Sequence, residues 1–380
     1  MWYSQQKMLF SNYPVNLQFH NPHQPKTRRT LLDLFLWAIG YYDDPIPLAP
    51  VPPDFVFPNV EETLVKGKPV VSWINHSTFL IEAFGVYFLS DPIWNTSLAI
   101  VGPKRHFPPP CAIKDLPSIN YVIISHDHYD HLDRKTIGEL VTLFPRIIFI
   151  VPKGVKKWFT RHFKDEPEVI ELNWWESCSF SYENPGLKAW DCKLGRSPLA
   201  QHADLKDLRL KDRVSLREDE AVGVAACEGE VEVTFTAVPA QHFSGRIFFG
   251  SNTTLWMGCV VEIKKKSEKK CFYFAGDTGY NKHDFNEIGK KWGGVDLALL
   301  PIGAYTPRAF MSPIHINPEE AVKIHKEVHS KLSVGGHFGT FKLASESLDQ
   351  PPYDLFLAMQ KERMASTAFC ILKPGQKIQW

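Results

Sequence analysis

A dense group of metal-ligating side chains follows a short apolar run near position 125. Directly after the apolar residues Tyr121–Ile124, six positions carry three imidazoles and a carboxylate, at His126, His128, Asp130 and His131. These groups make poor core residues, because each needs a polar partner once it is removed from water. They are good ligands for a borderline cation such as zinc, which favours imidazole nitrogen and carboxylate oxygen. The spacing therefore predicts a metal-binding loop after a buried strand, rather than a solvated polar turn.

The spacing of this motif suits two metals rather than one. His126 and His128 lie two positions apart and can point to the same side of an extended segment, while Asp130 and His131 follow where the chain turns. The motif resembles the signature of the metallo-β-lactamase superfamily, in which the first two histidines serve one metal and the Asp-His pair serves the other. The resemblance implies further ligands downstream, at strand ends: a histidine, a bridging aspartate and a last histidine.

Three downstream segments supply candidates in that order. Val231–Val238 alternates like a half-buried strand and leads to His242, and an apolar run leads to Asp277 in a turn flanked by glycines. A third apolar segment ends at His337. The resemblance assigns His126, His128 and His242 to one metal, and Asp130, His131 and His337 to the other, with Asp277 bridging. It implies two zinc ions per chain and catalytic roles for Asp130 and Asp277, although iron or manganese suits a similar ligand set.

Segments without predicted ligands indicate which family within the superfamily the chain resembles. From about Val70 to the C-terminus the chain is similar to the family of N-acylphosphatidylethanolamine-hydrolysing phospholipases D, in runs that include Trp73–Ile81, Glu171–Glu176, Pro301–Tyr305 and Asn317–Val322. The resemblance implies an α/β fold of the metallo-β-lactamase type, an αβ/βα sandwich of two mixed sheets flanked by helices. It also implies cleavage of N-acylphosphatidylethanolamine into N-acylethanolamine and phosphatidic acid, a membrane surface as partner, and a homodimer.

Several further residues are candidates for roles around the metals. The resemblance favours Tyr129 and His315 as substrate contacts. The sequence does not identify the acid that protonates the leaving oxygen, and the candidates are His315 and Asp127, which stands where the family tends to have Asn. We expect His76 and Asp91 to support ligands from behind, and His325 to be an ordinary helical histidine. Candidates for an apolar groove that holds acyl chains are Phe243, Phe310, Met311 and Phe338.

The pattern along the chain predicts two regions. Residues 1–53 read as a polar tail that is poorly ordered up to residue 29, an amphipathic segment at Leu31–Ile39 and a Pro-rich connector. The amphipathic segment is too short to span a bilayer, and it either lies in a membrane surface or packs against protein. Residues 54–380 read as the catalytic domain, with a charged surface insertion at about 173–232.

Composition limits the alternatives. A net charge of +1, with basic residues mixed among acidic ones, gives no argument for nucleic acid as a partner. Seven cysteines without a Cys-x-x-Cys pair, no signal peptide and no apolar run of ~20 residues predict an intracellular protein that does not span a membrane. The resemblance implies that this protein is peripheral on membranes. The rival interpretations are another hydrolase of the same fold, such as a lactonase or an RNA nuclease, and a non-catalytic lipid-binding protein.

Overall fold

Two mixed β-sheets face each other at the centre of the computed structural model, which describes residues 19–23, 31–58, 63–99, 102–182, 193–195, 230–246 and 252–380. In chain order the strands are β1 Val70–Asn75, β2 Thr78–Ala83, β3 Val86–Ser90, β4 Tyr121–Ile123, β5 Ile148–Pro152, β6 Glu168–Leu172, β7 Ser177–Tyr182, β8 Lys193–Gly195, β9 Val231–Val238, β10 Gly258–Lys265, β11 Glu268–Phe274, β12 Val295–Pro301, β13 Ser330–Gly336, β14 Phe369–Cys370 and β15 Lys377–Gln379.

The first sheet has the strand order β15-β1-β2-β3-β4-β5-β6, and the second has the order β14-β13-β12-β11-β10-β9-β7-β8. In the first, β3 to β6 are parallel and the remaining pairs are antiparallel. In the second, β11 to β14 are parallel and β7 to β11 pair antiparallel. Parallel strands end on the same side, so the loops that follow β4, β11 and β13 can meet at one edge.

Helices cover the outer faces of both sheets. They are α1 Leu31–Ala38, α2 Arg134–Leu143, α3 Lys156–His162, α4 Asp284–Trp292, α5 Arg308–Met311, α6 Pro318–Glu327 and α7 Gln350–Lys361, with a 3₁₀ turn at Ile113–Asp115. Buried residues of α2 and α3 pack on the first sheet, and those of α4, α6 and α7 pack on the second. The predicted αβ/βα sandwich is therefore confirmed.

The core between the sheets is built from the inward-facing residues of both. Phe88 of the first sheet lies 5.3 Å, ring centre to ring centre, from Phe272 of the second, and Tyr121 lies 4.7 Å from Phe235. All four side chains are fully buried. Burying large apolar side chains contributes about 1.5–3 kcal/mol each, so this layer is the main cohesive element of the fold.

The start of α6 is fixed by the sequence that precedes it. The Asn317 side chain accepts a hydrogen bond from the Glu320 backbone at 2.9 Å, and the Glu320 carboxylate accepts one from the Asn317 backbone at 3.0 Å. Pro318 occupies the first helical position. The Asn-Pro-Glu-Glu run at 317–320 by itself predicts a helix start, with a capping side chain, Pro at the first position and acidic residues in the first turn, and the structure confirms it. This capping box fixes the chain two residues after His315.

The N-terminal region lies closer to the catalytic domain than its composition predicts. The expectation of poor order up to residue 29 is wrong for Phe19–His23, where Asn21 is only 4% exposed. Residues 1–18 and 24–30 lie outside the described residues. The Pro-rich connector also contacts the domain, because Asp44 accepts hydrogen bonds from the Arg308 backbone and Gln350 donates to the Ala49 carbonyl.

The predicted charged insertion begins later than position 173. Ser177–Tyr182 forms β7, which pairs with β9 through six residue pairs, and its Cys178 and Phe180 are buried in the core. Alternating serines hide this strand in the sequence, since they face away from the core and read as a polar loop. Lys193–Gly195 pairs with β7 as well, and the remaining residues between 183 and 229 lie outside the described part of the chain. Among the described helices, none has the length and apolar character needed to cross a bilayer.

A close approach of α4 to the end of α6 yields a test of this packing. A Cβ added at Gly289 would lie 2.0 Å from the Glu327 carbonyl oxygen, whereas one added at Gly138, in α2, meets only an ordinary contact at 3.6 Å. We expect Gly289→Ala to lower the free energy of unfolding by about 1–3 kcal/mol. Gly138→Ala should raise it by up to about 1 kcal/mol, because Ala favours helix. Urea unfolding measures both, and equal stabilities for the two variants would contradict the close approach.

Candidate metal centre

Strand ends from both sheets bring the predicted ligands to one edge of the sandwich. The motif loop follows β4, and the other three ligands follow β9, β11 and β13. The Met257 backbone donates a hydrogen bond to the Ser125 carbonyl at 2.9 Å, which ties the motif loop to the second sheet. All seven predicted ligands lie in this cluster, and five of them are at most 3% exposed: His126, His131, His242, Asp277 and His337.

Three imidazoles form the first group. The Nε2 atom of His126 lies 2.8 Å from Nδ1 of His128, and Nε2 of His242 lies 3.3 Å from the same Nδ1. The three ring nitrogens therefore face a common point. Such convergence is typical of three ligands of one cation.

The second group combines histidines with Asp130. Its Oδ2 atom lies 3.2 Å from Nε2 of His131 and 3.6 Å from Nε2 of His337. His76 also belongs to this group, because its Nε2 lies 2.9 Å from the same oxygen. The sequence predicted only a supporting place for His76, and the structure puts its ring directly against the Asp130 carboxylate.

Asp277 lies between the two groups. Its Oδ2 atom is 3.1 Å from Nε2 of His337 and 3.2 Å from Nε2 of His131 on one side. On the other side it is 3.8 Å from Nε2 of His242 and 4.0 Å from Nε2 of His126. A carboxylate in this position has the geometry required of a bridge between two cations.

Hydrogen bonds to the ring nitrogens that point away from the cluster determine which nitrogen of each imidazole faces it. The Nδ1 atom of His131 lies 2.6 Å from Asp91, which also accepts a hydrogen bond from the Ser125 backbone at 2.7 Å. The Nδ1 atom of His242 lies 2.9 Å from the Ile314 carbonyl, and that of His126 lies 2.9 Å from the Ser125 hydroxyl. Partners of this kind are common behind metal-binding imidazoles, and the supporting place expected for Asp91 agrees with them.

The cluster fits a divalent cation. Within the described residues, Asp277 Oδ1 is buried without a hydrogen-bond partner, and Nε2 of His131 and of His337 lie close to carboxylate oxygens without forming a hydrogen bond of normal geometry. Unpaired buried polar atoms cost free energy, and a bound cation would pair with all three. Imidazole and carboxylate donors suit zinc, and also iron or manganese.

The histidines of the cluster fall into two kinds, those whose pKa is lowered and those whose pKa is raised. Burial lowers the pKa of His128 to about 3 and that of His242 to about 4, so these rings are neutral and ready to bind a metal. Burial acts in the same direction on His337, yet Asp277 raises the pKa of this ring to about 9. Binding a cation on this side must therefore displace protons.

Three residues of the site have left-handed backbone. The φ angle is 45° at His76, 31° at Asp91 and 57° at His337, a region that residues other than Gly rarely adopt. The His337 backbone donates a hydrogen bond to the His76 carbonyl at 2.8 Å, so two of the three hold each other. Strain of this kind is typical of functional sites.

Of the predicted substrate contacts, only His315 lies at the cluster. Its Nδ1 atom is 3.9 Å from Asp277 Oδ2, and its ring centre is 5.1 Å from that of His242. The Tyr129 hydroxyl instead donates a hydrogen bond to the Arg246 carbonyl at 2.6 Å, so its role as a substrate contact stays a prediction. The Asp127 carboxylate accepts a hydrogen bond from the Gly245 backbone and takes no part in the cluster, which speaks against Asp127 as the leaving-group acid.

Arg246 is a supporting residue that the sequence did not reveal. Its Nη1 atom donates to the carbonyls of Asp127 and Leu132, each at 2.7 Å, and its guanidinium lies 4.2 Å from the centre of the Tyr129 ring. One half-buried guanidinium thus holds both ends of the motif loop. A single arginine in an irregular segment carries no motif, and only the tertiary structure shows what it contacts.

The predicted groove residues occupy different places. The Phe243 ring lies 4.5 Å from that of His128 and 4.9 Å from that of His242, at the edge of the cluster. Phe310 and Met311 belong to an apolar cluster against which Phe243 and Trp37 also pack. Phe338 stacks on Trp73 at 4.8 Å and is only half-buried beside the core, so its place in a groove stays a prediction.

Comparison with known proteins gives the family. The β-lactamase superfamily domain matches residues 87–200 and 196–338. An N-acyl-phosphatidylethanolamine-hydrolyzing phospholipase D of Caenorhabditis elegans is 34% identical over 313 residues, which are 80% of this chain and 74% of that protein. The chain belongs to the metallo-β-lactamase superfamily.

Two further comparisons extend this result. The mitochondrial N-acyl-phosphatidylethanolamine-hydrolyzing phospholipase D of Saccharomyces cerevisiae is 30% identical over 82% of this chain, which covers 56% of that longer protein. A solved isothiocyanate hydrolase from Delia radicum gut bacteria superposes with a TM-score of 0.52 over 82% of this chain and 98% of that chain, at 15% identity, and supports the fold alone. With its cluster of histidines and aspartates, this member of the superfamily is a metal-dependent hydrolase.

The Asp91–His131 pair generates a prediction about metal affinity. Asp91→Asn keeps the side-chain shape but removes the charge behind His131, so we expect one of two cations to bind about 10- to 100-fold more weakly. Titration of the metal-free protein with Co²⁺ measures this change. Asp296→Asn is the matched control, since Asp296 pairs with the exposed Lys331 and lies outside the cluster. Unchanged Co²⁺ affinity in Asp91→Asn would refute the orienting role.

Proposed function

We propose that this chain is a metal-dependent phosphodiesterase of the phospholipase D type. It hydrolyses N-acylphosphatidylethanolamine to N-acylethanolamine and phosphatidic acid. His126, His128 and His242 would hold one cation, Asp130, His131 and His337 would hold the other, and Asp277 would be shared between the two. Zinc is the preferred ion for this set of ligands.

The single observation that carries the proposal is the position of Asp277 between two groups of ligands. A pair of cations on either side of one carboxylate suits the displacement of an alkoxide from phosphorus, because two cations act on the attacking and leaving oxygens. The names of the worm and yeast relatives support a phospholipid as substrate. Lactonases and nucleases of the same fold remain the rival hydrolases, and a lipid-binding protein without activity remains the rival of another class.

Two cations, when bound, supply a water of lowered pKa and offset the charge on the phosphate oxygens. The chain's own residues do the rest. Burial keeps the pKa of His315 well below its ordinary value, so the ring is neutral, and its Nδ1 atom, which has no hydrogen-bond partner among the described residues, is available to a phosphate oxygen. Phe243 covers the rings of His128 and His242 with an apolar surface suited to an acyl chain. The substrate is thus held at its phosphate and at its lipid part.

The proposed activity is tested on the purified full chain with three substrates. N-acylphosphatidylethanolamine, an acyl lactone and a short RNA are offered before and after removal of metal by a chelator, and again after Zn²⁺ is restored. We expect release of phosphatidic acid and N-acylethanolamine that disappears with the metal and returns with it. Asp277→Asn should lower turnover at least ~100-fold and reduce bound metal, and Asp296→Asn should change neither. Turnover of the lactone or the RNA alone, or unchanged turnover by Asp277→Asn, would refute the proposal.

We also propose that α1 lies in the membrane surface. Its inner side packs on the domain, where Trp37 stacks on Phe310 at 5.3 Å. Leu32 and Phe35 on its outer side, and Ile39 directly after its last residue, are 60–63% exposed and share one face by their spacing. Trp37 and Phe243 pack against the same apolar cluster around Phe310, so α1 lies near the ligand rings that Phe243 contacts. A helix so placed brings the metal centre to a lipid head group.

Vesicle binding tests the role of α1. Phe35→Ser should weaken binding to vesicles of phosphatidylcholine and N-acylphosphatidylethanolamine about tenfold, because one apolar side chain leaves the acyl layer. Cleavage of the same lipid in detergent micelles should change less than cleavage in vesicles. Leu143→Ser, at an exposed leucine in the last position of α2, serves as the control. Equal vesicle affinity of the wild type and Phe35→Ser would favour a protein partner for this face.

The intracellular location and the homodimer stay predictions. The name of the yeast relative places that protein in mitochondria, which is compatible with an intracellular location for this chain. Sedimentation of the purified chain, with and without detergent, measures its oligomeric state.

A further inference from the structure

A short N-terminal segment, Phe19–His23, lies on the loop that carries His242, and we call it the strap. The Asn21 side chain forms two hydrogen bonds with the backbone of His242. Its Nδ2 atom donates to the His242 carbonyl at 2.6 Å, and its Oδ1 atom accepts from the His242 N–H at 3.1 Å. The two residues are 221 positions apart in the chain. Asn21 thus pairs with both the N–H and the C=O of His242, because its amide side chain has both a donor and an acceptor.

His242 lies beyond the end of β9, where no strand of the described structure pairs with its backbone. β9 ends at Val238, four residues earlier, and the chain is irregular from Pro239 onward. His242 is buried, so its N–H and C=O need partners within the protein. Asn21 provides a partner for each. The Asn21 oxygen also accepts a hydrogen bond from the Trp256 indole at 3.1 Å, which fixes the amide in its plane.

The strap is itself fastened at both ends. The Phe19 N–H donates to the Asn252 carbonyl at 2.8 Å, and the Asn252 N–H in turn donates to the Ser244 carbonyl at 2.9 Å. At the other end, Nε2 of His23 lies 3.4 Å from the buried carboxylate of Asp284, and its ring stacks on His283 at 4.3 Å. Asn21 is therefore a fixed point rather than a side chain on a free tail.

These contacts bear on the metal centre through one imidazole. The Ile314 carbonyl orients the His242 ring from behind, and Asn21 fixes the backbone to which the ring is attached. Together they aim Nε2 at His128 Nδ1, 3.3 Å away. If the backbone moved, the ring would turn about its contact with Ile314 and Nε2 would leave the first group of ligands.

We propose that Asn21 is a positioning residue for the cation bound by His126, His128 and His242. The inference rests on the metal centre of the proposed function, but not on the identity of the substrate. It assigns a part of the metal site to a segment that composition marks as a tail. The affinity for one cation should depend on Asn21, and the affinity for the other should not.

The test is a Co²⁺ titration of the metal-free full chain, followed by its visible absorption. Asn21→Ala should weaken one of the two binding steps about 10- to 100-fold and leave the other unchanged. His20→Ala is the matched control, because His20 is exposed and adjacent in the strap. Asn21→Asp retains the size of the side chain and the accepting oxygen but loses the donor, and it serves the same comparison should Asn21→Ala not fold.

Two combinations separate positioning from a general loss of stability. In a His242→Gln background, Asn21→Ala should have no further effect on Co²⁺ affinity, because the residue acts through His242. Combined with Asp91→Asn, it should weaken Co²⁺ binding further, since Asp91 acts through His131 and Ser125 whereas Asn21 acts through His242. Unchanged Co²⁺ binding in Asn21→Ala, equal weakening of both steps, or an undiminished effect without His242 would overturn the inference. Two tight Co²⁺ sites in a wild-type chain that cleaves no phospholipid would refute the proposed function and leave the Asn21 comparison valid.

Discussion

The structure depends on the charge balance around one buried carboxylate. Asp277 is almost wholly removed from water, and burial alone would raise its pKa, yet His131 and His337 hold that pKa well below the ordinary value. The price of this arrangement is that both imidazoles carry protons when no metal is bound, as the raised pKa of His337 indicates. A cation resolves the conflict by taking the place of those protons. The ligands, their supporting hydrogen bonds and the loops that carry them are all arranged around this requirement.

The sandwich supplies that arrangement through the polarity of its strands. β4, β11 and β13 belong to the parallel parts of the sheets, β9 runs in the same direction as β11, and the ligands lie in the loops that follow these four strands at one edge. The apolar layer between the sheets makes the edge rigid, since residues such as Phe88 and Phe235 have no exposure to solvent. Loops that move little on a rigid base can hold two cations a short distance apart.

What the sequence predicts well is what its own spacing encodes. The motif loop, the strand before it and the capped start of α6 depend on neighbours in the chain, and each lies where its pattern indicated. Residues that contact distant parts of the chain cannot be recognised from the spacing of their sequence neighbours. Arg246 contacts a loop more than 100 positions away, and Asn21 contacts His242 across 221. β7 was read as part of a polar insertion because its buried residues, Cys178 and Phe180, alternate with serines.

Left-handed backbone at His76, Asp91 and His337 limits the free energy of unfolding of this protein. Each such residue costs about 1 kcal/mol or more relative to glycine, which adopts the same conformation freely. Evolution toward a sturdier fold could recover that free energy at three positions, but only by deleting the imidazoles and the carboxylate that the cleft uses. The free energy of unfolding therefore stays below the value that this fold could reach, because the metal site needs these three side chains. Substitutions that raise thermal stability must be placed in parts of the sandwich that face away from this edge.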